Sequence, residues 1–374
     1  MPGLYLHIPF CDTKCIYCDF YSIESDGKHE RFLAQLHTEI ARQADLIVAP
    51  SSFHSIFFGG GTPSLLEARQ IGDLLEALHT RFPVASDAEI TMECNPGTVH
   101  VEKLRGYREA GVNRLSFGVQ SFHEDDLRFL SRIHSVTQAE AAIGDAHTAG
   151  FDNVNLDLMF SLPGQTPERW MHNLERARAL GTTHLSCYSL TVEQGTPLAS
   201  MVRRGTVAMP LDESDATLFE LTMDTLAGWG FRQYEVSNYA LPGYECRHNL
   251  TYWRHEDYLG FGPSAHSTWT GRRWWNVSSV HAYGAAIERG ALPEAGGELL
   301  SPTLRREEYI YLRLRSEGID LTEFRKVFGS DLAEDNRAFV IRCLEADLLM
   351  QQGNILHLTR KGMLVCDEIC AELG

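Results

Sequence analysis

Positive charge is scarce in this sequence. Its 33 Lys and Arg stand against 50 Asp and Glu, a formal charge of −17, which argues against non-specific binding to nucleic acid or to an anionic membrane surface, since both need clustered cations. Long apolar runs are missing too: no stretch of 18 apolar residues occurs, so no membrane-spanning helix is expected. The first residues, Met-Pro-Gly-Leu-Tyr-Leu-His-Ile, carry neither the basic segment nor the apolar run of a secretion signal, and the expected location is the cytoplasm. There is no internal repeat and no low-complexity tract. What is present is a chain of 374 residues, 44% hydrophobic, long enough for one large domain and a smaller one.

Nine cysteines are unevenly spread: three fall within Cys11-Asp-Thr-Lys-Cys15-Ile-Tyr-Cys18, and the other six are scattered singly. Three thiolates at intervals of three and two residues on one loop suit a soft metal centre. A structural zinc site would bring four ligands, and no second Cys-x-x-Cys or His-x-x-x-His follows. An iron–sulfur cluster accepts three cysteines if another molecule fills the fourth position. A disulfide plus a spare thiol is the plainer alternative, at odds with an intracellular composition.

The first two-thirds alternates short strand-like runs with longer amphipathic ones. Strands are expected over 5–8, 55–59, 89–95, 114–120, 154–160 and 185–190, and helices over 30–46, 65–81, 124–148 and 167–180. Repeated strand–helix units mean a parallel sheet, either doubly wound or an incomplete (β/α) barrel. Period two separates Glu89, Thr91, Glu93 and Asn95 from Ile90, Met92 and Cys94; Arg114, Ser116, Gly118 and Gln120 from Leu115, Phe117 and Val119; and Asn153, Asn155 and Asp157 from Val154, Leu156 and Leu158. A sheet covered by helices on both faces is apolar on both. Three half-polar strands therefore favour a partial barrel whose lumen holds a polar ligand, because burying those carboxylates against helices is costly.

Cys-x-x-x-Cys-x-x-Cys after the strand at Tyr5-Leu-His-Ile resembles the radical S-adenosyl-L-methionine (SAM) superfamily. His7-Ile-Pro-Phe-Cys11 with Tyr17-Cys18-Asp19-Phe20 is similar to the oxygen-independent coproporphyrinogen III oxidase group and its heme-chaperone branch, HemW. The resemblance implies a (β/α)6 partial barrel of radical SAM type. It also implies a [4Fe-4S] cluster on Cys11, Cys15 and Cys18, with SAM on the open iron. The loop Gly59-Gly60-Gly61-Thr62-Pro63 would contact the SAM amino group, with Gly60, Gly61 and Thr62 as its members. Glu93, Gln120, Arg132 and Asp157 would contact SAM, while Tyr5 and Tyr17 would pack beside cluster or cofactor. From the residues alone, Glu93, Gln120 and Asp157 could each be structural hydrogen-bonding groups.

Further on, Cys246-Arg-His248-Asn249-Leu-Thr-Tyr252-Trp253 is an aromatic run that could simply pack the tail on the barrel. His-Asn-x-x-Tyr-Trp also resembles a signature of the heme-chaperone branch, which implies heme as a further cofactor with His248 as a ligand. Gly260–His266 and Trp269–Trp275 are expected to help shape a large flat pocket. From Pro302 the pattern turns to helices with a short hairpin, a winged-helix-like α+β cap expected as a lid over the barrel mouth; its 10 Lys and Arg against 13 Asp and Glu leave no basic footprint for nucleic acid. The expected organisation is a barrel over 1–236, an aromatic connector over 237–300 and the cap over 301–374.

The oxidase pattern carries a further cysteine two positions beyond the third, where this sequence has Phe20, and an N-terminal extension before the cluster strand. Both differences, with the His248 motif, imply a heme chaperone that hands heme to acceptors such as respiratory hemoproteins. The alternatives are a coproporphyrinogen III oxidase or another radical SAM enzyme, so an enzymatic activity stays open.

Overall fold

The computed structural model describes residues 1–25, 27, 29–48 and 52–374. Strands β1 (Gly3–Ile8), β2 (Phe53–Gly60), β3 (Val84–Cys94), β4 (Arg114–Gln120), β5 (Val154–Phe160) and β6 (His184–Ser189) are successive parallel neighbours in a 12-stranded sheet. They are the strands anticipated from the alternation, with β3 starting earlier. Between them run α1 (Glu30–Leu46), α2 (Ala68–Arg81), α3 (Val101–Ala110), α4 (Glu124–Phe129), α5 (Val136–Thr148) and α6 (Pro167–Ala179). The apolar strand residues Met92, Leu115, Phe117 and Leu156 share one buried cluster with Leu36, Leu74 and Trp170 of the helices; each such side chain is worth ~1.5–3 kcal/mol of burial.

Two helical details depart from the expected pattern. Helix α3 was not anticipated, although Gly111 at φ 112° is its left-handed stop. The helix expected over 124–148 is broken into α4 and α5, with Ser131 at φ 60° between them. Ser135 caps α5 in a reciprocal pair with Gln138, a box that starts a new helix. The break frees Arg132 and His134 from any helix.

After β6 come α7 (Pro197–Arg203), α8 (Asp212–Gly228) and the short strands β7 (Arg232–Gln233) and β8 (Asn238–Ala240), with β8 antiparallel to β6. Helix α9 (Arg247–Trp253) follows. On the other flank, β9 (Tyr258–Phe261) pairs in parallel with β1, and β10 (His266–Trp269), β11 (Arg272–Asn276) and β12 (Glu294–Leu299) extend the sheet antiparallel. β7 and β12 end the strand order, so the barrel is partial. In the segment around Trp269–Trp275, Trp269 and Trp274 are buried in the core and Trp269 stacks on Phe53 at 5.7 Å. Trp269 and Thr270 also border an open hollow of ≈ 490 Å³ with His255 and Asp257, apart from the cysteine loop. Glu39 of α1 clamps this flank, accepting from Gly262 N, the Tyr283 hydroxyl and Asn276 Nδ2 at 2.6–2.7 Å.

The tail begins with α10 (Pro302–Leu314) and contains a small sheet of β13 (Ile319–Asp320), β14 (Leu349–Gln352) and β15 (Ile355–Leu358), with helices around it. This is the winged-helix-like arrangement expected, and it buries its own cluster around Ile310, Phe324, Leu356 and Ile369. It is not a lid on the mouth. Its ion pairs run from Glu317 to Arg254 and from Glu308 to Arg273 and His255, and no residue after 300 lines the main cavity.

Candidate functional site

Alternating side chains of β3 to β6 converge on one cavity of ≈ 490 Å³, which makes that face of the sheet concave; the volume lies within the about 300–1,000 Å³ of small-molecule sites. Glu93, Gln120 and Asp157 line it, as do Tyr17, Gly60, Gly61, Thr62 and Arg132. These are eight of the residues expected from the sequence, brought together by strand register and by the loops at the strand ends. β6 adds Ser186 and Tyr188, which were not singled out. Its alternation of His184, Ser186 and Tyr188 against Leu185 and Cys187 carries the same period-two signal as the strands before it.

The cysteine loop leaves β1 at the cavity mouth. Cys11, Cys15 and Cys18 are free, partly buried thiols. Thr62 Oγ1 donates to Cys11 Sγ at 3.6 Å and Arg132 Nη1 to Cys15 Sγ at 3.4 Å, while Arg132 Nη2 donates to the Gly118 carbonyl at 2.6 Å. Burial, with smaller repulsion from Cys15 and Cys11, pushes the Cys18 thiol up to about 11. Among the described residues no three His, Cys, Asp or Glu gather as a single ion requires. A four-iron cluster takes one thiolate per iron and asks for separate sulfurs on one loop with cationic donors nearby, which is the donor set present.

Around this loop the backbone is tightly fitted. Gly61 N donates to the Ile8 carbonyl and Thr62 N to the Phe10 carbonyl, and a Cβ on Gly61 would lie 2.6 Å from Phe10 O. Gly60 N donates to Glu93 Oε2 at 3.1 Å. Burial, then repulsion from Asp157, raises Glu93 to about 8. Asp157 is also raised by burial, and it accepts from Asn155 Nδ2 at 2.7 Å. Gln120 sits at φ 71° with its Oε1 buried and unpartnered, a strained residue of the kind found at ligand clamps.

Tyr5 and His248 are not among the residues lining the cavity. Tyr5 stacks near Phe57 and His248 and bonds His7 Nδ1 at 3.1 Å, below the cavity instead of lining it. His248 is buried on α9, where Nδ1 meets Ser55 Oγ at 2.8 Å and Nε2 meets the Tyr252 hydroxyl at 2.8 Å. Burial lowers it to about 3. Both ring nitrogens are hydrogen-bonded in this arrangement, so a heme iron would have to displace Ser55 or Tyr252 to reach His248.

The radical SAM superfamily model matches residues 5–191, and the HemN C-terminal domain model matches residues 300–365. Heme chaperone HemW of Mycobacterium tuberculosis is 39% identical over 376 residues, covering 99% of this chain and 94% of its own. Its Bacillus subtilis counterpart is 36% identical over 373 residues, covering 99% and 98%. The chain belongs to the heme chaperone HemW branch of the radical SAM superfamily. Membership of the superfamily implies a [4Fe-4S] cluster and SAM. The solved coproporphyrinogen III oxidase HemN of Escherichia coli superposes with a TM-score of 0.85 at 24% identity, over 100% of this chain and 90% of that one; this shows a shared fold. No helix among the described residues is long and apolar enough to cross a membrane.

Proposed function

We propose that this protein is a cytoplasmic heme chaperone that binds heme and passes it to acceptor proteins such as respiratory hemoproteins. The observation that carries the reading is the identity to heme chaperones over 99% of the chain. Phe20 supports it: the side chain is 66% exposed at the cavity mouth, where the oxidase pattern has a cysteine.

Cys11, Cys15 and Cys18 would hold the cluster, with Arg132 and Thr62 stabilising two of the thiolates through donated hydrogen bonds. When bound, cluster and SAM supply one-electron chemistry. The N–H groups of Gly60, Gly61 and Thr62 are already spent on Glu93, Ile8 and Phe10, so the glycine loop would meet an ammonium group through carbonyl oxygens. Glu93 and Asp157, raised by burial, would regain their ionised form beside a cationic ligand, and Gln120 Oε1 would take a donor it now lacks.

The deciding experiment sets a heme titration of the cluster-loaded protein beside an anaerobic assay of coproporphyrinogen III conversion. Stoichiometric heme binding without turnover is expected. Rapid decarboxylation of propionates without stoichiometric heme binding would establish the oxidase alternative instead.

A further inference from the structure

Below the row of residues expected to face SAM, the lumen continues to a floor set by strand register. Phe57 pairs with Thr91, and Thr91 with Arg114; the next row up holds Glu93 and Ser116. Arg114 is 1% exposed and lines the cavity, yet its Nε and Nη2 have no hydrogen-bond partner, and neither has Thr91 Oγ1. Among the described residues no carboxylate makes a direct ion pair with this guanidinium, although Glu89 and Asp157 act on its charge from further off. The neighbouring Glu89 carboxylate is occupied by the backbone N–H groups of Arg247 and His248 and by the Cys246 thiol. A buried guanidinium with bare N–H groups is far costlier than a paired one. Its planar fork matches the two oxygens of a carboxylate.

We propose that Arg114 receives the carboxylate of a second ligand, bound on the lumen floor beneath SAM. The carboxylate of SAM itself is excluded by distance. SAM's amino and carboxylate groups would sit at the cysteine loop, where Arg132 is tied to Gly118, and Arg114 lies four residues from Gly118, two pleat repeats or roughly 13 Å down β4. The floor also has a side entrance. Asn238 and Asn249 border both the lumen and a second hollow of ≈ 330 Å³ lined also by Tyr252, Trp253 and Leu312 and by the polar Glu235 and Ser237, and Asn238 Oδ1 is buried and unpartnered. The aromatic pair Tyr252 and Trp253 in this hollow, with a cationic end beyond it, suits a flat, apolar body with a carboxylate arm. Heme carries such arms as propionates, and a small free carboxylate has the same chemistry. The tetrapyrrole source rests on the function proposed above; the carboxylate chemistry at Arg114 does not.

The test titrates the cluster-loaded wild type with heme and with heme dimethyl ester, follows the Soret band, and repeats both with Arg114→Gln and Arg114→Lys. If a propionate is the group bound, the ester binds wild type at least tenfold more weakly than heme. Arg114→Gln then binds both forms with the affinity of wild type for the ester, and Arg114→Lys falls between. In a second arm, free propionate is added while the Tm is measured. Equal binding of heme and ester, with a propionate-dependent rise in Tm that Arg114→Gln abolishes, assigns the site to a small carboxylate. Equal binding with no effect of propionate on the wild type overturns the proposal, and needs no variant to fold. Heme binding in that case leaves the chaperone reading intact. No heme binding by wild type removes that reading, and the propionate arm alone then decides for Arg114.

Discussion

Arg132 donates to Cys15 Sγ at 3.4 Å, so a residue from the break between two helices holds the sulfur of the cysteine loop. The same guanidinium grips the Gly118 carbonyl at 2.6 Å, which fixes the loop against β4. Arg132→Leu removes both bonds, each charge-assisted and worth about 1.5–3 kcal/mol. Loss of the cluster to a chelator, followed by visible absorbance, is expected to accelerate at least tenfold. Lysine, a point charge without the planar fork, recovers only part of this.

Cys15→Ala removes one of three thiolates from a loop that offers no fourth. After anaerobic reconstitution with iron and sulfide, wild type is expected to carry one [4Fe-4S] cluster per chain and the variant to fall to background iron. Full iron content in the variant contradicts the ligand assignment.

Gly61→Ala puts a Cβ 2.6 Å from Phe10 O and 2.8 Å from Ile8 O, backbone atoms that cannot move aside alone. The glycine loop must shift from β1. SAM affinity, measured by equilibrium dialysis, is expected to drop at least tenfold, while Gly72→Ala, with its nearest neighbour at 3.7 Å, leaves it unchanged.

His248→Ala strands Ser55 and Tyr252 and opens a hole under Tyr5. A loss of about 3 kcal/mol in urea unfolding is expected. Heme affinity should stay within twofold of wild type; a large loss of heme from a protein that still folds and loads its cluster would show the ligand role.

Glu39 is raised to about 7, chiefly by burial, despite its bonds to Tyr283, Gly262 and Asn276. A carboxyl with a folded-state value above its ordinary 4.5 favours the fold when protonated, and that contribution is lost as pH rises from about 4.5 through 7. Glu39→Gln cannot ionise. Its stability relative to wild type is expected to rise with pH between 5 and 8, by about 3 kcal/mol in all. Urea midpoints at both ends of that range check the sign; a difference that does not change with pH contradicts it.

Much of the lumen was readable because strand alternation is a strictly local property. Alternation set Glu93, Ser116 with Gln120, and Asp157 each on the polar face of its own strand, and β6 would have yielded Ser186 and Tyr188 by the same rule; strand register then placed those faces side by side. Arg132 was harder, since residues 124–148 read as continuous helix until the Ser135–Gln138 capping box is weighed. The strands β9 to β12 escaped because short, aromatic-rich pairs at a sheet margin have no strong period of their own. The position of the tail escaped for a different reason: ion pairs such as Arg254–Glu317 join residues 63 apart, and no local pattern links them.

The amino-acid sequence by itself determined the three-thiol loop, the parallel strand–helix succession and the polar face that became a lumen, because spacing and periodicity act over a few residues. Only the tertiary structure decided what each polar group meets. It committed both nitrogens of His248 to Ser55 and Tyr252, set Tyr5 beneath the cavity, moved the tail away from the mouth, and left the Arg114 guanidinium buried and unpaired. Hydrogen-bond partners come from distant parts of the chain, and whether one is supplied or withheld is settled by packing.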